Sequence, residues 1–209
     1  MTTSKKMNTL EYDLGADVRA FTTTHEMDAR RTNPLPLSQI SGLPIERIVI
    51  PHQVHDTCCM HITQAFLDLP QEQRMARLEG IDALISNVPD TLLCISTADC
   101  IPIIIYDVHH HAAASIHAGW KGTVQRIAEK TFSQMQQTFG TQGEDCLAII
   151  GPGISLAMVN ESHDNTWSDV QPPPRSHLCP GNCFLSLLFP YLPSSLSFTT
   201  NPQIHPLIV

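Results

Sequence analysis

Basic residues are scarce in this 209-residue chain. Twelve lysines and arginines stand against twenty aspartates and glutamates, giving a net charge of −8 and an isoelectric point near 5.7. So acidic a chain argues against nucleic acid or an anionic membrane as the main partner, since both reward clustered lysine and arginine. It does not argue against a small-molecule substrate, because one site can be basic inside an acidic protein. Long apolar runs are also missing. Ile101 to Tyr106 and Phe184 to Leu192 are far too short to span a bilayer, and Pro190 interrupts the second. The opening Met1-Thr-Thr-Ser-Lys-Lys-Met-Asn8 is polar and lacks the apolar stretch of a secretory leader. No disulfide framework is visible: seven cysteines is an odd number, and their spacing repeats nothing. Cys94 and Cys146 read as core thiols, Cys58 and Cys59 as packing or surface residues, and Cys179-Pro-Gly-Asn-Cys183 has no second pair. These absences together lead us to expect a soluble cytoplasmic protein with reduced thiols.

With 42% hydrophobic residues, the chain can bury one substantial core. Its character changes near residue 160. Residues 1–159 alternate strand-like and helix-like patterns and read as one domain. Residues 160–209 hold eight of the sixteen prolines, no lysine and four charged residues. Their prolines are expected to interrupt every helix or central strand, yet Cys183 to Leu192 is too apolar for a solvated linker. An altered, frameshifted reading frame beyond residue 159 is the reading this contrast suggests.

Within the first 159 residues, Val18 to Thr24 and Glu46 to Val54 read as strands. Pro70 to Gly80 reads as a short helix, with proline at its start and glycine at its end. Ile81 to Ile85, Thr91 to Ser96 and Ile101 to Tyr106 suggest neighbouring strands, two of them buried on both faces, followed by Ala112 to Ile116. Val124, Ile127, Ala128, Thr131, Phe132, Met135 and Phe139 trace one apolar stripe at helical spacing, a core-facing helix that ends at Gly140. Cys146 to Ile150 reads as a buried strand running into Gly151-Pro-Gly153. The fold class is α/β or α+β, a layered sandwich around a mixed sheet.

Three residues stand where strands should meet a common rim: His55, Cys100 and His117. Thiolate and imidazole form a ligand set that zinc prefers, and three protein ligands leave a fourth position for water. On spacing alone they are either metal ligands or buried polar groups with backbone partners. They share a rim if the Cys100 strand runs antiparallel to the other two. Asp99 could orient a histidine or exchange a proton, or simply stabilise a turn. Gly151 and Gly153 could offer amide N–H groups to an anion. Lys121 and Arg126 either support phosphate or are solvated, and Trp120 either stacks on a purine or packs in the core. His109-His-His111 reads as a solvated hairpin turn; His52 and His61 are outer partners of the site or surface residues.

Several strings, in order, resemble motifs of the YfiH-like family, also called the laccase-domain or polyphenol-oxidase family. They are Pro51-His-Gln-Val-His55, Gly80-Ile-Asp-Ala-Leu-Ile85, Ser96-Thr-Ala-Asp-Cys-Ile-Pro-Ile-Ile-Ile-Tyr-Asp107, His117-Ala-Gly-Trp-Lys-Gly-Thr123 and Ile150-Gly-Pro-Gly-Ile154. The resemblance runs from about Arg47 to Leu156. It implies an α/β sandwich and a metal site of His55, Cys100 and His117 holding zinc, or copper in some descriptions. It also implies purine nucleoside phosphorylase, methylthioadenosine phosphorylase and adenosine deaminase activity, with laccase an older label and a peptidoglycan-editing amidase role attributed to some bacterial members.

Two departures go with it. The family's Phe-Ser-Thr-Arg-Gly-Gly-like segment is here Phe21-Thr-Thr-Thr-His-Glu26, and nothing after residue 160 resembles the family's closing segment. Three readings follow. The first is a zinc enzyme acting on purine nucleosides and phosphate, with Cys100, Asp99 and His117 catalytic and Trp120, Lys121, Gly151 and Gly153 binding substrate. The second is a metal-free Cys–His hydrolase with Cys100 as nucleophile. The third is an inactive product of an altered gene. A multicopper laccase needs paired His-x-His motifs, and only His109 to His111 satisfies that spacing, once.

Overall fold

The computed structural model describes residues 9–24 and 27–153 and, as backbone alone, 183–188. The first five-stranded sheet runs β1 (Thr9–Tyr12), β2 (Arg19–Thr23), β10 (Cys183–Leu188), β6 (Leu92–Thr97) and β3 (Ile48–Val49) in spatial order. The second runs β4 (Cys59–His61), β5 (Ala83–Ser86), β8 (Ala112–Ala118), β7 (Ile101–Asp107) and β9 (Cys146–Ile150). Among the described residues five α-helices accompany them: α1 (Leu35–Ser41), α2 (Gln64–Leu67), α3 (Gln71–Arg77), α4 (Trp120–Val124) and α5 (Ile127–Phe139).

Strand alternation explains how these pieces stack. In β6, Leu92 and Cys94 pack with Leu37 of α1, while Leu93 and Ile95 face Leu84, Ile104 and Ala113 of the second sheet. In β7 and β8, Ile105, Ala112, Ala114 and Ile116 turn the other way and meet Ile127 and Met135 of α5. The layers are therefore α1, first sheet, second sheet, α5. This is the layered α/β fold expected from the sequence. Each fully buried large aliphatic side chain in these layers contributes about 1.5–3 kcal/mol relative to exposure.

Four expectations need correction. Ile81 to Ile85, Thr91 to Ser96 and Ile101 to Tyr106 are not neighbours in one sheet: β6 belongs to the first, while β5 and β7 both flank β8 in the second. Strands covered on both faces look alike in sequence whichever sheet they enter. The strand expected to reach Val54 stops at Val49, leaving His55 in a loop. β9 is an edge strand rather than a buried one, with Leu147 40% and Ile150 63% exposed. The expected single helix is two, because Arg126 takes a left-handed backbone (φ 64°) between α4 and α5 and turns Val124 out to solvent. Ile127, Thr131 and Met135 keep the buried stripe, and Gly140 (φ 80°) ends it by donating to Gln136 O.

The proline argument also fails at one place. Gly181 to Phe189 contains no proline, so its ladder donors are intact, and β10 forms there, antiparallel to both β2 and β6. The rest of the tail, residues 154–182 and 189–209, lies outside the described residues, and with it the expected change of reading frame. What positions the site is the β7–β8 hairpin: its register sets Pro102 opposite His117 and Ile101 opposite Ala118, so Cys100 and His117 share one end.

Candidate metal centre

His117 sits one residue before the end of β8, with only 3% of its surface exposed, and its ring points between the sheets. Its backbone N–H donates to Asp82 O at 2.8 Å, and its Nδ1 lies 2.7 Å from Asp82 Oδ1. An ionised carboxylate can only accept, so the proton is on Nδ1 and Nε2 is left to face the site. Burial opposes charge on this imidazole, but the Asp82 carboxylate and then the Cys100 sulfur outweigh it and push His117 up to about 9. Cys100, half-buried, ends the β6–β7 turn directly beside it.

His55 arrives from a loop. Val54, His55 and Asp56 donate their backbone N–H groups to the same Asp82 carboxylate at 3.2, 2.9 and 2.9 Å. Three successive amides converging on one anion draw His55 into a left-handed conformation (φ 64°). Two residues before His55 in that loop, Gln53 donates from Nε2 to Ser96 O at 2.8 Å and accepts from Ser96 N–H at 2.7 Å. The His55 and His117 rings meet edge to face, with centroids 4.8 Å apart.

The outcome is a cluster in which one ligand atom each from His55, Cys100 and His117 lies within 4.8 Å of the others, the one such group among the described residues. Gly119 forms its floor: a Cβ there would stand 2.9 Å from His55 Cδ2 and 3.2 Å from Cys100 Sγ. One sulfur and two imidazole nitrogens, in a cradle that excludes even a methyl group, suit zinc or copper.

The other expected residues fall around this centre. Asp99 is half-buried, and Gly153 packs against Asp99 O and Ile101. Gly151 does not offer its amide to an anion, because that N–H donates to Pro102 O at 2.8 Å. Trp120 is 53% exposed, which overturns the core reading, and Lys121 lies over its ring at 5.7 Å. Arg126 pairs with Glu129 at 2.8 Å. His52 is a surface residue bonded to Glu79, and His61 packs edge-on against Phe139. His109 to His111 occupy the β7–β8 turn, at the opposite end of the hairpin from Cys100 and His117.

Reading the residues one by one passed over Asp82 and Gln53. Asp82 had a signal: it is a lone carboxylate heading an apolar strand, and it is fully buried. Gln53 had none.

Comparison with known proteins fits this geometry. The sequence profile described as multi-copper polyphenol oxidoreductase laccase matches residues 18–168. A purine nucleoside phosphorylase of Bacteroides thetaiotaomicron is 49% identical over 128 residues, 61% of this chain and 47% of that protein. Adenosine deaminase RL5, from an unknown prokaryotic organism, is 34% identical over 128 residues, with the same coverage of each chain. The chain thus spans about half the length of these curated relatives. Among solved structures, the Bacillus licheniformis hypothetical protein YfiH superposes with a TM-score of 0.66 at 16% identity, over 88% of this chain and 97% of that one. YlmD from Geobacillus stearothermophilus gives 0.62 at 19% identity, over 84% and 93%. Those two likenesses establish the fold.

Proposed function

This chain belongs to the multi-copper polyphenol oxidoreductase laccase family, and we propose that it is a purine nucleoside phosphorylase. More finely, we propose a zinc enzyme that also deaminates adenosine and cleaves methylthioadenosine, working in the cytoplasm on purine nucleosides and phosphate. The observation that carries this reading is the convergence of His55, Cys100 and His117 in a chain whose relatives are named purine nucleoside phosphorylase and adenosine deaminase.

Zinc, or copper in its place, would be held by His55, Cys100 and His117 and would supply Lewis acidity and acidify water near neutral pH. The chain's own residues do the rest. Asp82 keeps His117 in the tautomer whose Nε2 faces the centre. Asp99, next in sequence to Cys100, carries the proton exchanged with the purine. Trp120 offers an exposed indole face on which a purine stacks. Lys121, exposed and with its ammonium over the same ring, is the group that binds phosphate. Gly153 brings backbone close to Asp99 on the same rim. The division of the chain into a catalytic domain, 1–159, and an altered tail belongs to the same proposal, and sequencing DNA through codons 157 to 209 in all frames tests it.

One contact favours a second reading. The Cys100 sulfur lies within 4.8 Å of a His117 ring nitrogen, the pairing on which a Cys–His hydrolase that needs no metal is built. Assays of wild type and Cys100→Ser separate the two. Phosphate-dependent release of free base from inosine, and inosine formation from adenosine, should both vanish in Cys100→Ser and on chelator treatment, and return when zinc is restored. Hydrolysis of an amide substrate that persists after chelation would establish the second reading instead.

A further inference from the structure

We propose that Asp82 and Gln53 are positioning residues: together they clamp the His55 loop so that the loop-borne ligand is set by the same two strand regions that carry the other two. The inference rests on the metal reading of the preceding section and goes beyond it in naming what makes the centre rigid.

His55 is the ligand with least support from secondary structure. β3 ends at Val49, six residues earlier, and His55 itself adopts a left-handed backbone that a non-glycine side chain disfavours. Such a conformation persists only where its surroundings fix it. Asp82 does so from one side. A carboxylate has about four acceptor sites, and four N–H groups fill them: Val54, His55 and Asp56 from the loop, and His117 Nδ1 from β8. Fully used in this way, Asp82 has no lone pair left for a metal or a proton in transit. Its role is to convert the position of His117 into the position of His55.

Gln53 does the same from the other side. Its amide gives Ser96 one donor and one acceptor, as a neighbouring strand residue would, where β3 has already stopped. Ser96 stands four residues before Cys100, at the end of β6. Asp82 therefore ties the loop to His117, and Gln53 ties it to the segment that delivers Cys100.

Each tether breaks in a specific way. Asn at position 82 must turn its NH₂ either toward the Val54 and Asp56 amides or toward His55 N–H and His117 Nδ1. The first choice sets donors against donors. The second drives His117 to the tautomer whose Nε2 carries a proton and cannot ligate. Leu at position 53 removes both bonds to Ser96 and leaves Asp82 intact.

The test compares wild type, Asp82→Asn and Gln53→Leu at full length, with zinc and cobalt(II) as probes. In each protein, zinc loss to a competing chelator, the cobalt–thiolate absorption band, the urea midpoint, and amide exchange at residues 54–56 after metal stripping are measured. Asp82→Asn should lose zinc roughly 10–100-fold more readily, show a weakened cobalt band, and exchange amides 54–56 at least about tenfold faster even without metal. Gln53→Leu should lose zinc a few-fold more readily, with a urea midpoint close to wild type. If Asp82→Asn does not fold, Gln53→Leu decides alone. Wild-type metal retention, cobalt spectrum and exchange in the folded variants would overturn the clamp while the metal reading stands. A lowered urea midpoint as the sole change would mark the contacts as merely structural and overturn it as well. A wild-type protein that takes up neither metal would overturn both.

Discussion

An aspartate–histidine pair lies at each end of the β7–β8 hairpin, with the aspartate supplied at the open end by the residue before β5 and at the turn by β7 itself, and the two ends put it to different use. At the open end Asp82 Oδ1 lies 2.7 Å from His117 Nδ1; at the turn Asp107 Oδ2 lies 2.8 Å from His110 Nδ1. Both carboxylates are completely buried, and both accept backbone N–H groups of the adjoining loop: residues 54–56 in one case, His109 and His110 in the other. Burial raises each acid, and hydrogen bonding outweighs it, so both sit below the usual carboxylate range. The difference lies in what the imidazole meets next. His117 meets a sulfur and a second imidazole; His110 packs against His109 at 4.8 Å in a turn where His111 is taken up by the Tyr106 hydroxyl. A buried aspartate–histidine pair is thus a way of pinning a loop. Metal chemistry needs the additional thiol and imidazole.

Four substitutions sharpen that comparison. The largest effect is expected from Gly119→Ala, whose new methyl group meets His55 and Cys100. Zinc affinity should fall by roughly 10–100-fold in competition titrations. Gly140→Ala, beside His110 at the other end, should cost about 1 kcal/mol through its positive φ and leave zinc binding unchanged. Next comes Asp107→Asn, which sets an amide against the donors of His109 and His110. It should destabilise by about 1–3 kcal/mol in urea titrations while metal content stays at the wild-type level. Its effect depends on pH. Asp107 is held lower when folded than its ordinary 3.8, so its stabilisation is present above that value and fades as pH falls through the folded-state pKa. The gap between wild type and variant should therefore close on acidification; a constant gap would contradict the assignment. The smallest effect is expected from Trp120→Ala. Loss of one stacking face worth about 1 kcal/mol should raise KM for adenosine about fivefold, with the urea midpoint unmoved because the indole is half exposed.

Much of this was legible in the sequence because the responsible interactions are local. The α5 stripe, the glycine that ends it and the apolar runs of β5 to β8 follow from period and capping alone. The meeting of Cys100 and His117 needed only an antiparallel pairing of β7 with β8, which a hairpin turn rich in histidine already implied. The assignment of strands to sheets was not legible, because β6 and β7 are both apolar on both faces and only tertiary packing sorts them. Nor was the arrival of His55, which depends on a carboxylate 27 residues downstream in sequence and on a glutamine acting as a strand. β10 shows the opposite error. Counting prolines over fifty residues hid a nine-residue window free of them, long enough for a central strand.

The central claim is that His55, Cys100 and His117 form one metal centre. Its most direct test is the metal content of the full-length protein purified without chelators, set beside Cys100→Ser and the turn variant His110→Ala. About one zinc or copper per chain is expected in wild type and in His110→Ala, with little left in a folded Cys100→Ser. Zinc and copper both far below one per chain in folded wild type, or full retention in Cys100→Ser, would contradict it.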